Sequence, residues 1–193
     1  PMVVAHQAAN FPPAVGAQAV YIAPAAFIPA LEPLLRQRRS QGYTAMAVDV
    51  QRIYDAWSYG QVSAEAIRTF LRYARSTWPQ APISVVMVGD ATWDPHNYEQ
   101  KTYHTNFVPA YLAHVDPWLG EAACENCYGQ LDGNDPLTGD QVAGSALFAP
   151  DIWVGRFPVK SSFELTQLID KLIRYENNQT LDDWRNVMLF LAD

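Results

Sequence analysis

Pro150-Asp-Ile-Trp-Val-Gly-Arg-Phe-Pro-Val-Lys-Ser-Ser-Phe-Glu-Leu-Thr-Gln-Leu-Ile-Asp-Lys-Leu-Ile-Arg-Tyr-Glu176 is the stretch whose pattern decides the fold. Ile152, Trp153 and Val154 form a short apolar run between Pro150 and Gly155, the pattern of a buried strand. A helix should follow, because the Ser161 hydroxyl can accept from the free amides of a first turn and Glu164, three residues on, completes a capping box. Leu165, Leu168, Ile169, Leu172 and Ile173 then recur at three- and four-residue spacing, so one face of that helix needs a sheet to cover it. The unit is strand, tight turn, helix.

The residues upstream repeat the unit. Residues 19–23 (Ala-Val-Tyr-Ile-Ala) read as a first strand, and Phe27, Ile28, Leu31, Leu34 and Leu35 as the inner face of a helix. Pro33 is expected in that helix's first turn, where a missing amide costs nothing, and Gly42 as its left-handed cap. Residues 44–50 form a second strand ending at Asp49. Ser63 then caps a helix whose Ile67, Phe70, Leu71, Ala74 and Trp78 share a face, stopped by Pro79 and Pro82. Residues 83–88 (Ile-Ser-Val-Val-Met-Val) are apolar almost throughout, as a strand covered on both faces must be. Alternating strands and helices imply a parallel sheet with right-handed crossovers, hence a three-layer α/β/α half domain of caspase-like or Rossmann-like type.

Two segments stand outside that alternation. Residues 1–18 show no period and carry Pro12, Pro13 and Gly16, so they read as an arm or linker ahead of one α/β subdomain at 19–193. Residues 91–150 are rich in Asp, Gly, Pro, Asn and Tyr and read as a long loop insertion with one short hairpin near 128–131. Long loops inside a compact domain are often functional. Residues 187–193 (Val-Met-Leu-Phe-Leu-Ala-Asp) read as one more buried strand, and a domain that stops on such a strand looks truncated.

Composition removes several functions. The chain has 193 residues, 49% of them hydrophobic, and a net charge of −7, which suits one core and argues against a nucleic-acid surface. No apolar run approaches the ~20 residues of a membrane span. The phosphate loop Gly-x-x-x-x-Gly-Lys-Ser/Thr, the dinucleotide fingerprint Gly-x-Gly-x-x-Gly and the hydrolase elbow Gly-x-Ser-x-Gly are all absent.

Ligands of parallel sheets sit beyond the carboxyl ends of the strands, which here carry Asp49, Asp90, Arg156 and Asp193. Asp90, Arg156 and Asp193 are therefore the cleft candidates. Cys124 and Cys127, with His104 and His114 upstream in the same loop region, offer a two-His, two-Cys zinc set, a small disulfide, or two packed thiols, and spacing alone leaves these open. Asp132, Asn134, Asp135 and Asp140 cluster oxygens on a glycine-containing turn that suits calcium or is simply a solvated turn. The aromatic residues of the long loop, among them Trp93, Tyr98, Tyr111 and Trp118, suit either a peptide or carbohydrate cleft or plain packing onto the sheet.

Cys127-Tyr-Gly-Gln-Leu-Asp-Gly-Asn-Asp135 and the opening stretch, together with residues 53–60, 66–74 and 85–94, resemble in order the first half of the gingipain-like cysteine peptidases of family C25. The resemblance implies a caspase-like fold of which this chain is the N-terminal subdomain. The family's nucleophile cysteine and its histidine lie later, in Ala-Cys-x-Asn and His-Gly motifs. No His-Gly occurs here, and Ala123-Cys124-Glu125-Asn126 follows a polar segment rather than an apolar strand, so no catalytic residue is expected in this chain. The resemblance also implies a secreted or cell-surface protein whose leader is not in this chain, calcium as a structural ion, and as partners the C-terminal catalytic subdomain of the same polypeptide and a protein or peptide substrate. The expected function is the non-catalytic part of a cysteine endopeptidase. The alternative is a non-catalytic C25-like binding or scaffolding module of a secretion-associated or cell-surface protein.

Overall fold

The computed structural model describes residues 16–101, 105–116, 118–132, 150–178 and 187–190. Strand β1 (Ala19–Ala23) is the central rod of the fold, with all five residues buried. Helix α1 (Ile28–Ser40) follows, then β2 (Ala45–Asp49), α2 (Val50–Trp57), α3 (Ala64–Thr77) and β3 (Ser84–Val88). A separate antiparallel hairpin, β4 (Leu112–Asp116) with β5 (Gly120–Ala123), interrupts the alternation before β6 (Trp153–Phe157) and α4 (Ser162–Asn177) restore it.

The main sheet has the order β2-β1-β3-β6 and is parallel throughout. Period-two side-chain alternation assigns β1 to two cores at once. Val20 and Ile22 point to the layer of α2 and α3, where Ile53, Ile67, Phe70 and Leu71 are fully buried. Ala19, Tyr21 and Ala23 point to the layer of α1 and α4, against Leu31, Leu34, Leu165 and Ile169. The result is the expected three-layer α/β/α arrangement with a mostly parallel sheet.

Local chemistry explains the helix limits. Ser63 and Ser161 accept from the amides of Ala66 and Glu164, and the Glu164 carboxylate reaches back to the Lys160 amide, one residue earlier than the usual capping box. After α1, Gly42 takes φ +91°, with Gly42 N–H on Arg39 and Tyr43 N–H on Arg38, a complete Schellman motif. Pro33 departs from expectation: it lies inside α1, and Pro29 occupies the first turn instead. The bond that Pro33 forfeits is the one to the carbonyl of Pro29, an exposed residue.

Of the other departures one is local, and the rest depend on pairing that neighbours in sequence do not reveal. Asp49 accepts from Gln51 N–H and starts α2, a helix with no counterpart in the sequence reading. Residues 125–129 form a 3-10 turn rather than a hairpin near 128–131, and the hairpin lies earlier, at β4 and β5. Trp153 is not buried: β6 is the outer strand of the sheet, and Trp153 is 77% exposed. Residues 187–190 form no strand and are 70–84% exposed, while 191–193 lie outside the described residues, as do 1–15 of the expected arm. Gly16 makes a single bridge to Gln80, which joins the last part of that arm to the fold.

Candidate functional site

The carboxyl ends of β3 and β6 meet in a polar knot centred on Arg156. Its guanidinium donates to the Gly89 and Val108 carbonyls at 2.8 Å each, to Pro109 at 3.0 Å, and to both oxygens of Glu125 at 3.1 Å. These bonds join β6, the turn after β3, the segment before β4 and the 3-10 turn after β5. A planar fork of five donors is the side chain suited to such a convergence, and a lysine could not match it. Arg156 is only 13% exposed in its side chain, so each acceptor matters to the others.

Asp90 follows Val88 by two residues and works as a second tie. Its carboxylate accepts from the Thr105 hydroxyl at 3.2 Å and faces the Lys160 ammonium at 3.5 Å, while its backbone bonds to Val159 and Phe107. Asp90 and Arg156 line one cleft of about 240 Å3 together with Trp93 and Glu125. Two of the three strand-end candidates are thus brought together, and Asp193 lies outside the described residues.

Cys124 and Cys127 are joined as a disulfide, and they are the chain's two cysteines. Sulfurs bonded to each other offer no thiolate to a metal, so the zinc set is not assembled. His114 is exposed on β4 opposite Glu121, and His104 lies outside the described residues. Among the described residues no group of three or more metal-ligating side chains gathers. The disulfide instead closes the 3-10 turn that presents Glu125 to Arg156 and inserts Tyr128, fully buried, whose hydroxyl donates to the Pro109 carbonyl at 2.7 Å. Burial pushes the Tyr128 phenol well above its ordinary range. Gly129 completes this turn because a Cβ there would sit 2.8 Å from the Ile152 carbonyl, Pro150 and Val154.

Of the oxygen-rich turn, Asp132 is described and Asn134, Asp135 and Asp140 are not. Asp132 donates its amide to Asp151 and its carboxylate lies 3.7 Å from Arg75. That contact belongs to a feature the sequence reading missed, a ladder of arginines on α3. Arg68 donates to the Gln130 carbonyl, Arg72 to Leu131 and Arg75 to Asp151, at 2.8, 2.7 and 2.9 Å. The spacing 68, 72, 75 was the available signal, since i, i+4, i+7 is one helix face. Burial would raise the Asp151 carboxyl, but amide bonds from Leu131 and Asp132, the Asp132 side chain and the Arg75 charge outweigh it and hold it low. No helix among the described residues is long and apolar enough to cross a membrane.

Comparison with known proteins fits this geometry. Residues 13–193 match the model of the family described as Peptidase family C25. Dimeric latent PorU from Porphyromonas gingivalis superposes with a TM-score of 0.68 at 23% identity, over 88% of this chain and 16% of that one. The complex of RgpB pro- and mature domains from the same organism gives 0.60 at 21% identity, over 86% and 30%. The Arg-specific cysteine proteinase gingipain R (RgpB) gives 0.58 at 20% identity, over 86% and 30%. The chain therefore spans less than a third of each of these structures. No curated protein matches it.

Proposed function

The chain belongs to peptidase family C25, and from that premise we propose that it is the non-catalytic half of a cysteine endopeptidase, supporting a catalytic half and forming part of its substrate cleft. One observation carries the reading: the chain's two cysteines are bonded to each other, so neither is a thiolate nucleophile. The nucleophile and its histidine then come from polypeptide other than these residues. The place to receive that polypeptide is the outer edge of β6. Trp153 N–H donates to Ile83 and Phe157 accepts from Gly89, so by alternation the N–H groups of Val154 and Arg156 point outward from the sheet. Beside that edge, α4 buries only Leu165 and Ile169 and leaves Phe163 68% exposed.

The protein or peptide substrate and the extracellular or cell-surface location belong to the same proposal. So does a structural calcium at the turn 132–140, where Asp132 is the donor whose neighbourhood is described. The Arg75 guanidinium 3.7 Å away competes for that carboxylate, so Asn134, Asp135 and Asp140 would supply the main oxygen ligands. When bound, the ion would fix the turn and take no part in proton transfer. Chelation should then lower the melting temperature, and an unchanged curve removes the ion.

Activity decides the main reading. The 193-residue chain by itself should cleave no peptide. A polypeptide continued beyond Asp193 should cleave and should lose activity to iodoacetamide. Thiol-sensitive cleavage that copurifies with the 193-residue chain would overturn the proposal. A continued polypeptide that folds yet cleaves nothing would favour the second reading, a C25-like binding or scaffolding module, which the paired cysteines also suit.

A further inference from the structure

A second cleft, of about 630 Å3, lies beside the one that Asp90 and Arg156 line and shares Thr92, Ala110 and Leu112 with it. Its walls come from the turn between α2 and α3 (Val62), the loop after β3 (Pro95, His96) and the segment entering β4 (Asn106, Pro109, Leu112). Among the described residues no lysine, arginine, aspartate or glutamate lines it. In a chain of net charge −7 that neutrality selects an uncharged occupant.

Two hydrogen-bonding features specify more. The Asn106 Oδ1 atom is buried and has no hydrogen-bond partner, although an unpaired buried acceptor is destabilising. The second is a strand edge. Among the described residues β4 pairs with β5 alone, and Cys124 N–H donates to the Tyr111 carbonyl while Ala113 faces Ala122. Bonded and non-bonded positions alternate in an antiparallel pair, so the N–H and C=O of Leu112, a residue that lines the cleft, are directed away from β5. A free strand edge next to an apolar recess and a free acceptor is the arrangement that recognises an extended backbone.

We propose that this cleft binds an uncharged polypeptide segment in extended form. The segment adds a strand at Leu112, donates a backbone N–H to Asn106 Oδ1 and sets an apolar side chain against Val62, Pro95 and Pro109. Binding is read without cleavage, so the outcome is independent of the peptidase reading.

The probe is a fluorescein-labelled, C-amidated octapeptide of alternating valine and threonine, followed by fluorescence anisotropy with the full chain. Saturable binding is expected. N-methylation of alternate amides should weaken it about fivefold or more, since the two hydrogen bonds donated by peptide N–H groups, to the Leu112 carbonyl and to Asn106 Oδ1, are removed at about 0.5–1.5 kcal/mol each. Asn106→Leu should weaken it about fivefold, the loss of one such bond. Val62→Asp, at a residue 59% exposed and so tolerated by the fold, should weaken it at least tenfold by placing a charge in the recess. No binding at millimolar peptide, equal affinity for the N-methylated probe, or binding of maltohexaose in place of peptide would each overturn the proposal.

Discussion

Helices α3 and α4 carry nearly the same sequence signal, a serine cap followed by apolar residues every three or four positions, yet they sit in different surroundings. α3 buries six residues in 14, Arg68 among them, and Arg68 and Arg72 tie down residues 130 and 131. α4 buries two in 16. The difference lies in what flanks each helix. α3 is flanked by α2 on one side and by the 3-10 turn of residues 125–129 on the other, whereas α4 is flanked chiefly by α1. An apolar stripe thus shows which face wants cover, and only the sheet order shows whether the cover is there.

The largest expected effect is at the well-covered side. Arg156→Met should cost about 3–5 kcal/mol in chemical denaturation, because Glu125 and three carbonyls lose a buried partner. Arg156→Lys should recover only part of that, since one ammonium cannot reach all the acceptors. Next come matched truncations: Leu71→Ala on α3 should cost about 2–5 kcal/mol, and Leu172→Ala on α4, where the side chain is half-buried, less than about 1. Equal costs would break the contrast between the two helices.

Removing the disulfide in the Cys124→Ser/Cys127→Ser variant should cost about 2 kcal/mol or less, the value for so short a closed loop. A smaller, pH-dependent effect probes the α4 side. Arg38 on α1 holds both carboxylate oxygens of Glu176 at 2.7 Å and, with Gln41, keeps that carboxyl below its ordinary range in spite of partial burial. A carboxyl depressed by folding stabilises fully above its unfolded value of about 4.3, and the contribution disappears as pH falls through the lower folded value. Glu176→Gln should therefore lower the melting temperature slightly at neutral pH and make the acid decline shallower. An identical acid profile would mean that the pair contributes nothing.

Local chemistry was the legible part of this fold. Residues 19–23 form β1 as the apolar run required, Ser63 and Ser161 cap α3 and α4, and Gly42 ends α1, because each depends on a few adjacent residues. What depends on distant partners was hidden. Trp153 reads as core but lies on an edge that only the order of strands defines, whereas Asp49, read as a strand-end acid, is a local miss because it caps α2 two residues on. The position of Arg156 could be read, whereas its acceptors come from three separate segments. For Cys124 and Cys127 the spacing suited zinc and disulfide equally, and only the placement of the sulfurs separates them.

β6 is an edge strand in this chain and, under the proposed function, becomes an inner strand once a catalytic half pairs with it. Hydrogen exchange at the Val154 and Arg156 amides tests this most directly, in the 193-residue chain and in polypeptide continued beyond Asp193. These two amides should exchange quickly in the chain by itself and become strongly protected in the longer polypeptide, while Gly155, bonded to β3, stays slow in both. Fast exchange at Val154 and Arg156 in the longer, folded polypeptide would contradict the account.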